Sequence, residues 1–149
     1  MSKYRILKDY SQVLMKIEDI LGDGVTTNIQ LDKLGYHLFG NKYLGTLSSD
    51  QFPKYIREGQ CFILNTDSSK SLNKSGHWVS FYKLNKRLYY YDSFMRQPNK
   101  LSQFWINKKL INTNRTDRDQ SYKESDCGSR SLAWIVIFSK WGERAINII

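Results

Sequence analysis

A chain of 149 residues falls in the size range of one domain, and 40% hydrophobic with 14% aromatic residues is the composition of a folded core, which excludes a disordered tail. The longest uninterrupted apolar run, Leu132 to Phe138, is far shorter than the roughly 20 residues a membrane-spanning helix needs. A formal net charge of +9 favours contact with polyanions but names no partner.

In chain order, Ile6, Leu7, Tyr10, Val13, Leu14, Ile17, Ile20 and Leu21 recur at three and four and predict an amphipathic helix from Tyr4 to Leu21, stopped by Gly22-Asp23-Gly24. Val25 to Phe39 reads as helix or loop, because Gly35 and Gly40 weaken the stripe of Ile29, Leu31, Leu34 and Leu38. Gln60 to Asn65 is a compact apolar run and predicts a buried strand, followed by a polar surface loop that ends at His77. The aromatic and β-branched runs His77 to Tyr82 and Leu88 to Ser93, separated by Lys83 to Arg87, predict a hairpin. Pro98 to Lys109 carries Leu101, Phe104 and Trp105 at helical spacing; Asn112 to Asp126 is a polar loop; Cys127 to Trp141 is a helix too apolar all round to lie on the surface. The expected architecture is α+β: one domain over 1–149, in which a small mixed or antiparallel sheet packs on a buried helix that opens with Cys127.

The N-terminus has acids at Asp9, Glu18 and Asp19 and no apolar centre of the signal-peptide kind, so synthesis and residence inside the cell are expected. Cys61 and Cys127 are the only cysteines, and His37 and His77 stand forty residues apart, a pattern that predicts no disulfide framework, no metal and no cofactor.

A thiol attacks a carbonyl as thiolate, and a helix N-terminus with an adjacent imidazolium lowers a cysteine pKa from ~8.5 into the range of about 3.5–7.5. Cys127 opens a predicted helix. His77 and Asp92 fall at the same end of the predicted hairpin, so the carboxylate can fix the tautomer of the ring while the other nitrogen faces a sulfur. Gln120 is an available side-chain donor for an oxyanion, and Gly128 leaves room for a substrate backbone. Each residue alone also has an ordinary structural use: Cys127 as a small buried hydrophobe, His77 as a strand histidine, Asp92 as a turn former, Gln120 as a loop residue. Cys61, inside an apolar strand, reads as structural.

Taken together, Gly76-His77-Trp78, Tyr91-Asp92-Ser93-Phe94, Gln120 and Asp126-Cys127-Gly128 resemble the histidine, acid, glutamine, cysteine order of adenovirus-type maturation cysteine proteases and the related ubiquitin-like-protein proteases. Papain-like enzymes place cysteine before histidine. Tyr43-Leu44-Gly45-Thr46, Phe52-Pro53 and Ile63-Leu64-Asn65-Thr66 extend the likeness, which runs from about Tyr43 to Trp141. The resemblance implies His77 as base, Asp92 as its orienter, Gln120 as oxyanion donor, Cys127 as nucleophile, Trp78 and Gly128 lining the substrate site, and the fold of that family. It further implies cleavage of viral capsid and core precursor polypeptides in the virion or infected cell, without secretion and without a membrane. Residues 1–42 have no counterpart in the pattern and are expected to form a helical extension that covers the core. Activation through a disulfide is not expected, since Cys61 is the only spare thiol.

Two other functions fit parts of the sequence. A deconjugating isopeptidase for ubiquitin-like proteins uses the same four residues. A basic nucleic-acid-binding module uses the charge and interleaved aromatics alone, and Lys83, Lys86, Arg87, Lys108 and Lys109 are the candidates for weak, salt-sensitive DNA contact in either case.

Overall fold

The N-terminal stripe folds as predicted. In a computed structural model that describes residues 3–22, 27–67, 77–96, 105, 108–114 and 127–149, helix α1 spans Lys3–Leu21 and buries Ile6, Tyr10, Leu14 and Ile17 along one face. Gly22 ends it at φ +85°, donating its N–H to the Glu18 carbonyl at 2.7 Å, a left-handed stop that glycine adopts without steric cost.

The ambiguous second segment is a helix, α2, over Asn28–Phe39. A capping box decides it: Thr27 Oγ1 accepts the Gln30 N–H at 3.2 Å, and Gln30 Oε1 accepts the Thr27 N–H at 2.9 Å. Gly35 weakens the helix locally but serves packing, because a Cβ there would run into the Tyr43 ring.

Among the described residues, five strands form one mixed sheet in the order β1 (Tyr43–Leu47), β2 (Cys61–Asn65), β3 (Trp78–Leu84), β4 (Arg87–Tyr91), β5 (Leu110–Asn112). β1 runs parallel to β2, the β2–β3 and β3–β4 pairs are antiparallel, and β5 runs parallel to β4. The predicted strand at residues 60–65 and the predicted hairpin are both present. The hairpin closes through Asn85 and Lys86, both at positive φ, and Glu58 accepts the N–H of each. The segment around Ile111 is strand β5; β1 also forms where the sequence pattern predicts no strand. Most of the helix expected over 98–109 and of the loop expected over 112–126 lies outside the described residues; where they are described, Lys108 and Lys109 are not helical and Asn112 belongs to β5.

Helix α3 spans Cys127–Trp141 and buries ten side chains or backbone sites around its circumference, Leu132, Trp134, Ile135, Ile137 and Phe138 among them. It lies against the sheet face that carries Cys61, Ile63, Tyr89 and Tyr91, with α1 and α2 covering it from outside. Trp134 stacks between Tyr91 (5.6 Å) and Phe138 (4.8 Å). On the opposite face Phe62, Leu64, Val79, Phe81 and Tyr90 pack with Phe52 and with Trp105, whose indole N–H donates to the Ser49 carbonyl at 3.1 Å. The alternation of the strands is thus used on both sides: Cys61 and Ile63 face α3 while Phe62 and Leu64 face away. No helix among the described residues is long and apolar enough to cross a membrane.

Candidate active site

Two strand ends and a helix start converge at one edge of the molecule. Ser80 pairs with Tyr91, so His77, one residue before β3, and Asp92, one residue after β4, stand at the same end of the hairpin, as the sequence register predicts. Both backbone groups of His77 are held by Thr66: the His77 N–H donates to Thr66 Oγ1 at 2.9 Å, and the Thr66 N–H donates to the His77 carbonyl at 2.8 Å. The ring therefore projects from a fixed point.

Nε2 of His77 is hydrogen-bonded to Asp92 Oδ1, and the ring face stacks on Phe94 with centroids 4.4 Å apart and planes 20° from parallel. This arrangement leaves Nδ1 of His77, buried and without a bond of ordinary length, for the thiol of Cys127. Cys127 is the first residue of α3, and its Sγ accepts the Trp78 N–H at 3.5 Å. One turn on, Ser131 Oγ donates to the Trp78 carbonyl at 3.2 Å. The peptide groups of Trp78 are thus gripped by α3 on both sides, which fixes the helix that opens with Cys127 against the strand that follows His77.

Asp92 is fully buried and satisfied. Oδ1 also accepts the Phe94 N–H at 2.9 Å, Oδ2 accepts the N–H and Nε–H of Arg96 at 3.1 and 3.2 Å, and the Asp92 N–H donates to Asn114 Oδ1 at 2.9 Å. Burial works against a charged carboxylate here, but His77, the Phe94 amide and Arg96 outweigh it and hold Asp92 below the usual carboxylate range. Burial likewise works against a charged imidazole, but the bonds to Asp92 and Cys127 raise His77 above its ordinary value. The other thiol behaves differently: burial pushes Cys61 up to about 12, and its Sγ lies 3.8 Å from the Lys42 carbonyl inside the core. Its structural reading fits.

These shifts fix the sign of one pH dependence. Asp92, lowered in the folded chain, contributes stability that is present above its unfolded value of about 3.9 and lost as pH falls through its lower folded value. His77, raised on folding, contributes stability that is complete below about pH 6.5 and lost as pH rises through its folded value. The urea midpoint of the native chain is therefore expected to fall relative to that of His77→Gln as pH climbs above about 6.5. A difference between the two that stays constant from pH 6 to 10 would contradict the charged pair.

Of the sequence-predicted residues, His77, Asp92 and Cys127 come together, Trp78 is half-buried beside them, and Gly128 is buried in the first turn of α3. Gln120 lies outside the described residues. The candidate DNA contacts are elsewhere: Lys83, Lys86 and Arg87 sit at the hairpin turn, the opposite end of the sheet, with Lys109 beside them next to Leu110, the partner of Leu88. Glu58 and Glu143 share that end, Glu143 accepting from Asn85 Nδ2 at 3.0 Å, so the positive charge there is partly offset. Lys108 Nζ lies over the Phe52 ring at 4.7 Å. Phe94, Arg96, Asn114, Thr66 and Ser131 support the site without having been singled out for a role in it by the sequence. For two of them a signal exists, since an aspartate followed at two and four positions by donors is the spacing of a side-chain-to-backbone turn.

No family model matches the chain, and no curated protein does either. What the site can do thus rests on its own geometry. A thiol at a helix N-terminus, an imidazole with Nδ1 toward it and a buried carboxylate on Nε2 stand in the arrangement that a nucleophile, a base and its orienter require.

Proposed function

We propose that this chain is a cysteine endopeptidase in which Cys127 is the nucleophile, His77 the general base and acid, and Asp92 the residue that fixes the ring. The observation that carries it is the orientation of His77: Nε2 is committed to a buried carboxylate, which leaves Nδ1 toward the sulfur. In the reaction, Nδ1 takes the thiol proton as Sγ attacks the scissile carbonyl, then gives it to the leaving amine. The resulting thioester is hydrolysed by a water that Nδ1 deprotonates in turn. The backbone N–H groups of the first turn of α3, which have no partner within the helix, are assigned as donors to the developing oxyanion, and Gln120 is assigned as the side-chain donor by its place in the motif order.

The order histidine, acid, glutamine, cysteine supports the adenovirus-type reading of this activity, with viral capsid and core precursors as substrates during virion maturation. Weak contact with DNA is assigned to the hairpin end, away from the site.

The test begins without a substrate. Native chain and His77→Ala are alkylated across a pH series and Cys127 and Cys61 are followed by peptide mass mapping. Cys127 is expected to react at neutral pH about 10- to 100-fold faster than Cys61, and His77→Ala is expected to remove that excess. Equal, His77-independent rates at the two thiols would overturn the assignment. Cleavage of capsid precursors at glycine-containing sites, with ubiquitin-like fusions left intact, is the expected second result; the reverse preference would make the chain a deconjugating isopeptidase.

A further inference from the structure

Arg96 has no part in the chemistry just described, yet it makes two of the four hydrogen bonds that the Asp92 carboxylate accepts. An ionised carboxylate offers about four acceptor positions, so this one is filled, and it cannot turn without stranding a donor. The same guanidinium lies 5.1 Å from the centroid of Phe94, which also stacks on the His77 ring at 4.4 Å. Arg96 therefore bears on the imidazole twice, through its edge by way of Asp92 and through its face by way of Phe94. Exposed ion pairs are usually worth little. Here the arginine side chain is 38% exposed, but the acid it holds is completely buried, and a buried carboxylate is sensitive to every charge beside it.

We propose that Arg96 is a positioning residue that acts through Asp92: it anchors that carboxylate by Oδ2 so that Oδ1 stays on His77 Nε2, and its charge sets how strongly the carboxylate holds the imidazole proton. This rests on the protease reading above for its catalytic meaning, but not for its electrostatics. Among the described residues, the titratable and charged groups facing the carboxylate are His77 at the head of β3, Cys127 of α3 across the ring, Tyr90 of β4, whose pKa burial and Asp92 both raise, and Arg96 itself. Arg96 and His77 are the two cations among them. Removing the guanidinium leaves more of the carboxylate's field on His77, so its proton is held more tightly, and Asp92 itself becomes easier to protonate. Both limbs of any pH profile that depends on the pair then move upward. A residue that merely supports the fold would lower the rate at every pH and leave the limbs in place.

The experiment uses the full chain with Arg96→Gln and Arg96→Lys. His77 is titrated by NMR, with exposed His37 as the internal reference, and Cys127 alkylation by iodoacetamide is profiled against pH in parallel. Arg96→Gln is expected to raise the His77 midpoint and the alkylation limbs by roughly half a pH unit or more and to lower the maximal rate about 3- to 10-fold. Arg96→Lys, which keeps the charge and loses the planar fork, is expected to hold the midpoints near their native values while the rate still falls. A scaled profile with unmoved midpoints in Arg96→Gln, or midpoints that move as far in Arg96→Lys as in Arg96→Gln, would overturn the proposal. If Arg96→Gln loses its native circular dichroism, the Arg96→Lys midpoints decide alone: a shift sinks it, constancy with a lowered rate upholds it. The His77 titration is readable whether or not Cys127 is a nucleophile, so failure of this inference and failure of the protease reading are separate results.

Discussion

Asp92→Asn is expected to lower the rate of peptide cleavage by roughly 10²- to 10⁴-fold with little change in KM, because the substituted amide keeps the shape of the site and loses its charge. Two of the donors that meet the carboxylate come from Arg96 on Oδ2, and an amide places its NH2 group against one set of donors whichever way it turns. If the amide oxygen stays on His77 Nε2, its nitrogen faces the guanidinium and the Arg96 N–H. If it flips, the nitrogen faces the ring and forces the opposite tautomer, with the proton on the nitrogen that should receive one from Cys127. Either outcome also strands the imidazolium without its counter-charge. Breaking a buried pair by removing one partner costs about 3–5 kcal/mol of stability, so the urea midpoint is expected to fall along with the rate. A variant that keeps its rate while losing stability would reduce Asp92 to a structural turn former, the use that an isolated aspartate after a strand most often has. A variant that keeps its stability would show that the four hydrogen bonds are replaceable by solvent.

That such a carboxylate could be found in the sequence at all follows from regular spacing. His77 and Asp92 flank two antiparallel strands whose register is set by a two-residue turn at Asn85-Lys86, so counting pairs is sufficient to place them at one end. Cys127 is legible for a related reason: a fifteen-residue stretch apolar on every face can only be a buried helix, and its first residue stands at the end of the helix where N–H groups are free. The clamp on Asp92 is not legible in the same way. It depends on Met95 at φ +60°, on the Met95 N–H reaching the Asp92 carbonyl, and on Asn114 arriving from beyond β5, none of which leaves a periodic trace. Strands β1 and β5 escape notice because they are five and three residues long and pair in parallel at the two edges of the sheet, where partners far along the chain, not local alternation, decide them. Gly45 at φ +126° interrupts the pattern of β1 further. The α2 helix shows the reverse case, a weak apolar stripe rescued by a cap: Thr27 and Gln30 stand at the spacing of a capping box, and Gly35, which argues against a helix locally, is what lets Tyr43 pack against it.

Residues 1–42, which the resemblance to proteases leaves without a counterpart, carry the second large expected effect. Removing residues 1–22 is expected to abolish cooperative folding. Ile6, Tyr10, Leu14 and Ile17 are all buried, and at roughly 1.5–3 kcal/mol for each large side chain this face contributes about 6–12 kcal/mol, comparable to the 5–15 kcal/mol by which a whole domain is stable. The helix is tied down at its rim as well, where Asp9 Oδ2 accepts from Lys140 Nζ at 2.7 Å and from the Trp141 indole N–H at 3.0 Å, both at the far end of α3. Near its middle, the Tyr10 hydroxyl lies 3.4 Å from the Tyr91 hydroxyl and receives the Arg130 guanidinium at 3.4 Å. Tyr91 immediately precedes Asp92, and Arg130 follows Cys127 by one turn, so α1 supports the strand that leads to Asp92 and the helix that opens with Cys127 at once. Circular dichroism of the truncated chain is expected to show no sharp thermal transition, with strong binding of a hydrophobic dye, and Ile17→Ala in the full chain is expected to cost about 2–5 kcal/mol. A truncated chain that melts cooperatively within a few degrees of the full one would mean that α3 is covered without α1. The N-terminal helix would then be an appendage to the site and not a part of its foundation.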